Sequence, residues 1–338
     1  LFVCGFLLCF AGRVPMLGTL LAAGVEGLCT YVFHVTDQVG QMTVLLLYWN
    51  SWYTKAAVGV LYLLIAAKLL AKERFPARYV ALACCAVLTP VLYANARAAE
   101  NRHETTLFSC GSGQAISVAA GHEFFAVIDC AGSGYQNAAE EIQAYMDWYG
   151  YAQIDQLILT ALDQTHARNV PQLLENSTVD SIIIPAETRE SELSEQIFAL
   201  AEAKNIPVTV WRAEDVRPVG AEPLGISLIG GTPRKLGVQV TAGEQTSFLT
   251  LHSFTPKMTD ALLQSQKLSC RQLVLSEKQL QEAGCLKTIT DAVHPMEILL
   301  PSGWYDSGTA GDVPMRSTKT EGDLCYQTTI KGGRPRWQ

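Results

Sequence analysis

Two apolar runs, 56–70 and 79–94, constrain this 338-residue chain before anything else, because they carry a single charge between them, Lys68. Each lies near the lower limit of the roughly 17 to 25 residues that a membrane-spanning helix needs. The loop that separates them reads AKERFPAR, and Lys68, Lys72, Arg74 and Arg78 gather there as in a cytoplasmic loop. Tyr48, Trp49, Trp52, Tyr53, Tyr79 and Tyr93 stand at the ends of the runs, where interfacial aromatics collect. A multi-pass membrane region over 1–102 is therefore expected, with everything after residue 96 outside and a kink at Pro90. The earlier stretch 1–33, interrupted by Arg13, Pro15 and Glu26, reads as the end of one helix followed by a broken or re-entrant second. Its opening inside an apolar run, without a charged leader, reads as part of something longer. Between these stretches, 25–42 mixes apolar and polar residues at helical spacing. His34 and Asp37 fall on one face of it, as lining of a conduit or as solvated residues at a helix end.

Charge divides the chain near the same place. Eight Lys and Arg face four Asp and Glu before His103, whereas 17 face 28 after it. An acidic second part argues against a broad phosphate-binding surface there, so DNA, if it is a ligand, is expected at the basic first part. The ten cysteines contain no Cys-x-x-Cys pair, which speaks against a zinc ribbon. Cys110 and Cys130 fall on neighbouring predicted strands, and a bridge between them is left open. The glycine turns 111–113 and 229–232 lack both the lysine of a phosphate loop and the three-glycine dinucleotide spacing. Ser133 lacks the setting of a nucleophile elbow.

From Thr105 the period changes from helix to strand. Runs 106–118 and 124–128, joined by a turn with Gly121 and His122, predict a hairpin, and 138–149 predicts an amphipathic helix closed by Gly150. Further strands are predicted over 156–160, 179–185, 207–211, 224–229, 237–241, 247–251, 272–275 and 297–300. Helices are predicted over 191–204, 259–265 and 276–283, the last opened by a Ser276/Gln279 capping box. Strands interleaved with helices imply an α/β domain over 103–338 with two sheets faced by helices.

Several segments carry a resemblance to a known family. LFSCGSGQA (107–115) is similar to FLDVGQGDA, keeping Gly111 and Gly113. AVIDCAG (126–132) is similar to LIDAGG and keeps Asp129, while 145–160 matches a helix, glycine and strand leading to Thr160. TSFLTL (246–251) is similar to a strand that ends in Gly-Asp, and MRSTKTEGDL (315–324) to a closing hairpin. In these segments the chain resembles the ComEC competence family, whose members import DNA across the bacterial plasma membrane. The resemblance implies transmembrane helices followed by an extracytoplasmic αββα metallo-β-lactamase-like sandwich. It also implies a zinc or manganese cofactor, and the membrane, DNA and other competence-machinery proteins as partners.

Departures at the metal positions shape the chemical expectation. Where the family has THxHxDH, this chain from Thr160 offers Ala161, Asp163, Thr165 and His166, so only His166 is kept in kind. Leu251 and His252 replace the Gly-Asp pair, and 273–279 offers no imidazole. The family's Tyr-Gly-His-Pro segment reads as deleted between Ser302 and Met315. A catalytic zinc needs about three protein ligands and an open position. Asp163, His166 and His252 are the remaining candidates for a makeshift single site; the plainer role for a lone loop histidine is a hydrogen-bonded side chain. The expectation is thus a protein of DNA uptake whose lactamase-like domain has lost metal-dependent hydrolysis and needs no cofactor. The alternative is a membrane-anchored metallohydrolase, a nuclease, with an atypical site.

Overall fold

The computed structural model describes residues 26–27, 29–31, 34, 52–70, 76–100, 103–121, 124–186, 191–211, 224–232, 234–242, 245–265, 267–331 and 334–337. The chain divides into two compact units, Leu1–Arg97 and Ala98–Gln338. In the first, α1 (Trp52–Leu70) and α2 (Ala77–Glu100) are helices, and α2 continues through Pro90. Among the described residues α1 is the one helix long and apolar enough to cross a membrane, and the apolar part of α2, Arg78–Ala94, is shorter. The expected crossings within 1–33 lie largely outside the described residues. On α1, Leu63, Leu69 and Leu70 are 70%, 75% and 85% exposed, as befits a helix that is apolar on all sides. His34 is helical and exposed, while Asp37 lies outside the described residues.

The second unit holds two sheets. The first is built from β1 (His103–Leu107), β2 (Ala115–Ala120), β3 (Phe124–Cys130), β4 (Gln156–Ile158), β5 (Ile182–Pro185), β6 (Val208–Trp211), β14 (Leu324–Lys331) and β15 (Arg334–Trp337). Its strands are ordered β15-β14-β1-β2-β3-β4-β5-β6. The second comprises β7 (Leu224–Thr232), β8 (Lys235–Ala242), β9 (Gln245–Thr250), β10 (Gln272–Val274), β11 (Glu297–Leu300), β12 (Gly308–Ala310) and β13 (Val313–Ser317), ordered β12-β13-β11-β10-β9-β8-β7. The helices of this unit are α3 (Ala138–Tyr149), α4 (Val170–Asn176), α5 (Glu192–Ala203), α6 (Pro256–Ser265), α7 (Glu277–Gln281), α8 (Ala283–Val293) and α9 (Thr318–Glu321).

Strand alternation makes the layers. On β2, Ile116, Val118 and Ala120 point into a core shared with Val238, Phe248 and Leu299 of the other sheet, whereas Ala115 and Ala119 join Ile142, Leu173 and Ile197 of α3, α4 and α5. A third core sets Leu249, Leu273 and Ile298 against Leu262 of α6 and Ile289 of α8. The order is therefore helix, sheet, sheet, helix. Because both faces of β2 and β3 are covered, their sequences are nearly continuous apolar runs.

Local signals set the helix ends. The Asn137 side chain accepts from the Ala139 amide, and Gly150 closes α3 at φ 74°, where a side chain would be strained. Ser191 and Ser194 cap α5 reciprocally. Other expectations are corrected. The run 106–118 is two strands parted by a turn at Gly111, where φ is +71°. The helix expected over 276–283 stops at Gln281 and a second, α8, follows; α4 was not anticipated. The segment 315–324 is no hairpin: it ends β13 in one sheet, turns through α9 and enters β14 in the other. Ser317 drives that turn by accepting from the Lys319 amide. Cys110 and Cys130 are fully buried free thiols without a bridge, and burial pushes Cys110 up to about 12 and Cys130 well above the ordinary thiol range.

Candidate functional site

Strands β3, β4, β5 and β6 run parallel, as do β9, β10, β11 and β13, and the candidate residues sit at their carboxyl ends. In open α/β sheets this is where ligands bind. The tight turns that build this end need glycine. A Cβ on Gly111 would lie 2.0 Å from Ser133 Oγ, and one on Gly113 would lie 2.1 Å from the Ala131 carbonyl oxygen.

Asp129, next to last in β3, has φ +57°, a left-handed conformation that short polar side chains tolerate best. Its carboxylate is fully buried. The Thr160 amide donates to Oδ1 at 2.7 Å, and the Thr160 hydroxyl and Gln114 Nε2 donate to Oδ2 at 2.6 and 2.7 Å. Gln114 Oε1 in turn accepts from the Thr250 hydroxyl at 2.9 Å, so one amide ties the end of β3 to the end of β9. Burial pushes the Asp129 carboxyl up to about 6, against the opposing pull of His166 and the two Thr160 bonds.

A second chain of bonds runs along the rim. His166 Nδ1 lies 2.6 Å from Asp163 Oδ1, and His166 Nε2 lies 3.1 Å from His252 Nδ1. The imidazoles meet edge to face at 5.2 Å. Burial opposes the charge on Asp163, but the His166 hydrogen bond and charge and the Thr165 amide prevail, holding it down at about 2. Burial, reinforced by His166 and opposed by Asp163, drives His252 well below the ordinary histidine value. Both nitrogens of His166 are thus engaged by protein partners.

That geometry tests the metal directly. Three ligands of one zinc must each place a donor atom about 2 Å from a common point. Asp163 and His252 instead lie on opposite edges of the His166 ring, so the three do not converge on one point, and only His166 Nε2 and His252 Nδ1 face one another. Ala161 and Leu251 stand at ligand positions of the resembled motif with side chains that cannot coordinate. Among the described residues no group of three or more His, Cys, Asp or Glu is placed to hold a metal. The nitrogens that face one another, His166 Nε2 and His252 Nδ1, are two donors where a catalytic zinc takes about three protein ligands.

Sequence reasoning singled out Gly111, Gly113, Asp129, Thr160, Asp163, His166 and His252, and all of them stand at this end of the sandwich. It passed over Gln114, Thr250, Gln279 and Lys235. Gln279 is fully buried; its Nε2 donates to the Leu251 carbonyl and to Thr259 Oγ1 at 3.2 and 2.9 Å, while its Oε1 accepts from Ser276. Lys235 Nζ donates to the Ser253 carbonyl at 2.6 Å. The signal for Gln114 was present, a lone polar residue entering a wholly buried strand, but its partner lies 136 residues away.

No family model matches the chain, and no curated protein matches it. Among solved structures it is similar to the metallo-β-lactamase fold protein YhfI from Bacillus subtilis, at 13% identity and a TM-score of 0.45 over 67% of this chain and 99% of that one. It is also similar to unliganded yeast PDE1, at 7% identity and 0.45 over 66% and 99%, and to a diphosphatase from the PhnP family, at 11% and 0.38 over 65% and 97%.

Proposed function

We propose that this chain is a membrane-tethered component of bacterial DNA uptake whose lactamase-like unit serves as a scaffold and does not hydrolyse. The saturation of the strand ends carries the non-hydrolytic half. Asp129, Thr160, Gln114 and Thr250 satisfy one another, and the rim brings together two imidazole nitrogens, His166 Nε2 and His252 Nδ1, short of the roughly three protein ligands of a cation that would activate water. The uptake half draws on the ComEC-like segments around Gly111, Asp129 and Thr160, and on a membrane-length helix preceding the domain. The setting this implies is a multi-pass protein of the plasma membrane, its acidic domain outside, its basic region nearer the DNA, and other competence proteins as neighbours.

One observation favours a membrane-anchored metallohydrolase instead: Asp163 and His166 are a carboxylate and an imidazole already in contact. The same experiment decides between the two. The full chain in detergent is equilibrated with zinc or manganese, freed of unbound ion, and assayed for metal content and for cleavage of single-stranded DNA. Substoichiometric metal and intact DNA are expected, whereas about one tightly held ion per chain with metal-dependent cutting overturns the reading. Deleting the gene is expected to abolish DNA uptake, and normal uptake removes that half.

A further inference from the structure

The second sheet ends on β12, a short strand paired on one side only, with β13. Its register decides which backbone groups stay open. In an antiparallel pair, opposed residues alternate between those that exchange both hydrogen bonds and those that exchange none. Thr309 stands opposite Pro314, which has no N–H to give, so the bonds run between Gly308 and Met315 and between Ala310 and Val313. Thr309 therefore turns its own N–H and C=O away from β13, and it is exposed. Among the described residues no strand pairs on that side.

Beside this edge lies a groove of about 670 Å³ between α8 and the β12–β13 turn, with Leu280, Leu286, Ala310 and Val313 as its apolar lining. Ala310 belongs to the core formed with α6 and α8, and by strand alternation Gly308 faces the same way. A Cβ on Gly308 would meet nothing within 4 Å, so the space beside the strand is open. A strand added along Thr309 would direct its residues opposite Gly308 and Ala310 into that space. Extended peptides are recognised in this way, by main-chain bonds to a free edge and by pockets for alternate side chains. Asp291 and Asp312 border the groove with Lys287 and His294, and neither carboxylate is in an ion pair among the described residues. With 28 acids against 17 bases after residue 102, the charge around the groove suits a basic segment. A second copy suits it less, because pairing two β12 edges about Thr309 would set Asp312 of one chain opposite Asp306 of the other. We propose that the β12 edge and the groove beside α8 dock an extended basic segment of a partner protein. Two of its apolar side chains seat in the groove, and a lysine or arginine further along reaches Asp312 or Asp291. None of these residues belongs to the bonded clusters of Asp129 and His166, so the site is independent of the proposed function.

The test uses the full chain in detergent and a labelled peptide, Lys-Thr-Val-Thr-Val-Thr-Lys, acetylated and amidated at its ends, with binding followed by fluorescence anisotropy. Its two valines and two lysines fall on one face, and its central threonine is the residue to pair with Thr309. Saturable binding is expected, about tenfold weaker when glutamate replaces both lysines. Gly308→Val places a side chain in the groove without a clash and should abolish binding. Thr309→Pro removes the outward N–H at a position that gives no bond to β13, and should weaken binding about tenfold. Unchanged thermal midpoints show that both variants fold. Should either fold poorly, the unaltered protein is titrated with the peptide N-methylated at its central threonine, where a similar loss is expected. The proposal is overturned if the peptide does not bind, or if the variants and the N-methyl group leave its affinity unmoved. It is also overturned if light scattering shows a dimer that Gly308→Val dissolves, because the occupant is then a second copy. Bound metal with DNA cleavage would sink the proposed function and leave this result standing.

Discussion

Asp129 and Asp163 are two carboxylates at one end of the sandwich, yet their surroundings push them in opposite directions, to about 6 and about 2. Asp129 is fully buried among neutral donors, so desolvation dominates and its charge is disfavoured. Asp163 keeps 45% of its side chain exposed and touches an imidazole, so its charge is stabilised. The difference separates the site into an inner knot that fastens strand ends and an outer chain whose carboxylate stays partly exposed.

The sharpest way to break this division is Asp129→Ala, which strips the Thr160 amide, the Thr160 hydroxyl and the Gln114 amide of their acceptor. Urea unfolding should show a loss on the order of 3 to 5 kcal/mol, as for other buried polar networks broken from one side. A loss below about 1 kcal/mol would remove the knot's structural role. His252→Ala should cost less, roughly 1 to 3 kcal/mol, because it leaves His166 with Asp163 as a partner.

The pH dependence sharpens the contrast further. The raised Asp129 carboxyl takes up its proton more readily folded than unfolded, so its contribution to stability is present below about pH 4 and is lost as pH rises towards about 6. That change should amount to about 3 kcal/mol and disappear in Asp129→Asn. Buried neutral His252 acts in the opposite sense: stability falls as pH drops below its ordinary 6.5, because the unfolded imidazole accepts a proton that the folded one refuses. His252→Phe should flatten that limb, and an unchanged profile in both variants would refute the assignment. Asp163→Asn should have the smallest effect, within about 1 kcal/mol at neutral pH, since its partly exposed pair is screened by solvent. A larger loss would place Asp163 with the knot.

Legibility followed the range of the interactions. The bounds of α3 were readable because Asn137 and Gly150 act on residues beside them. Asp129 and Thr160 were readable as motif positions, but the bonds that join them were not. Residues 106–118 misled because burial on both faces of β2 erases the alternation that would mark a break, leaving the glycine turn 111–113 to signal it. Gln114 was not readable as a site residue, although its amide is what links Asp129 to Thr250 across two sheets. Lys235 carried no motif at all, and its position depends on a hairpin docking against Thr160.

By itself, the amino-acid order determined the apolar helix α1, the capped helices, the strand alternation of the layers and the absence of motif ligands at Ala161 and Leu251. Tertiary structure alone decided that the surviving polar residues would satisfy one another and that Lys235 would reach the Ser253 carbonyl beside His252. The reason is physical: caps and periodicity act over a few residues, whereas the direction of a hydrogen bond between His166 and His252, 86 residues apart, exists only once two sheets are packed.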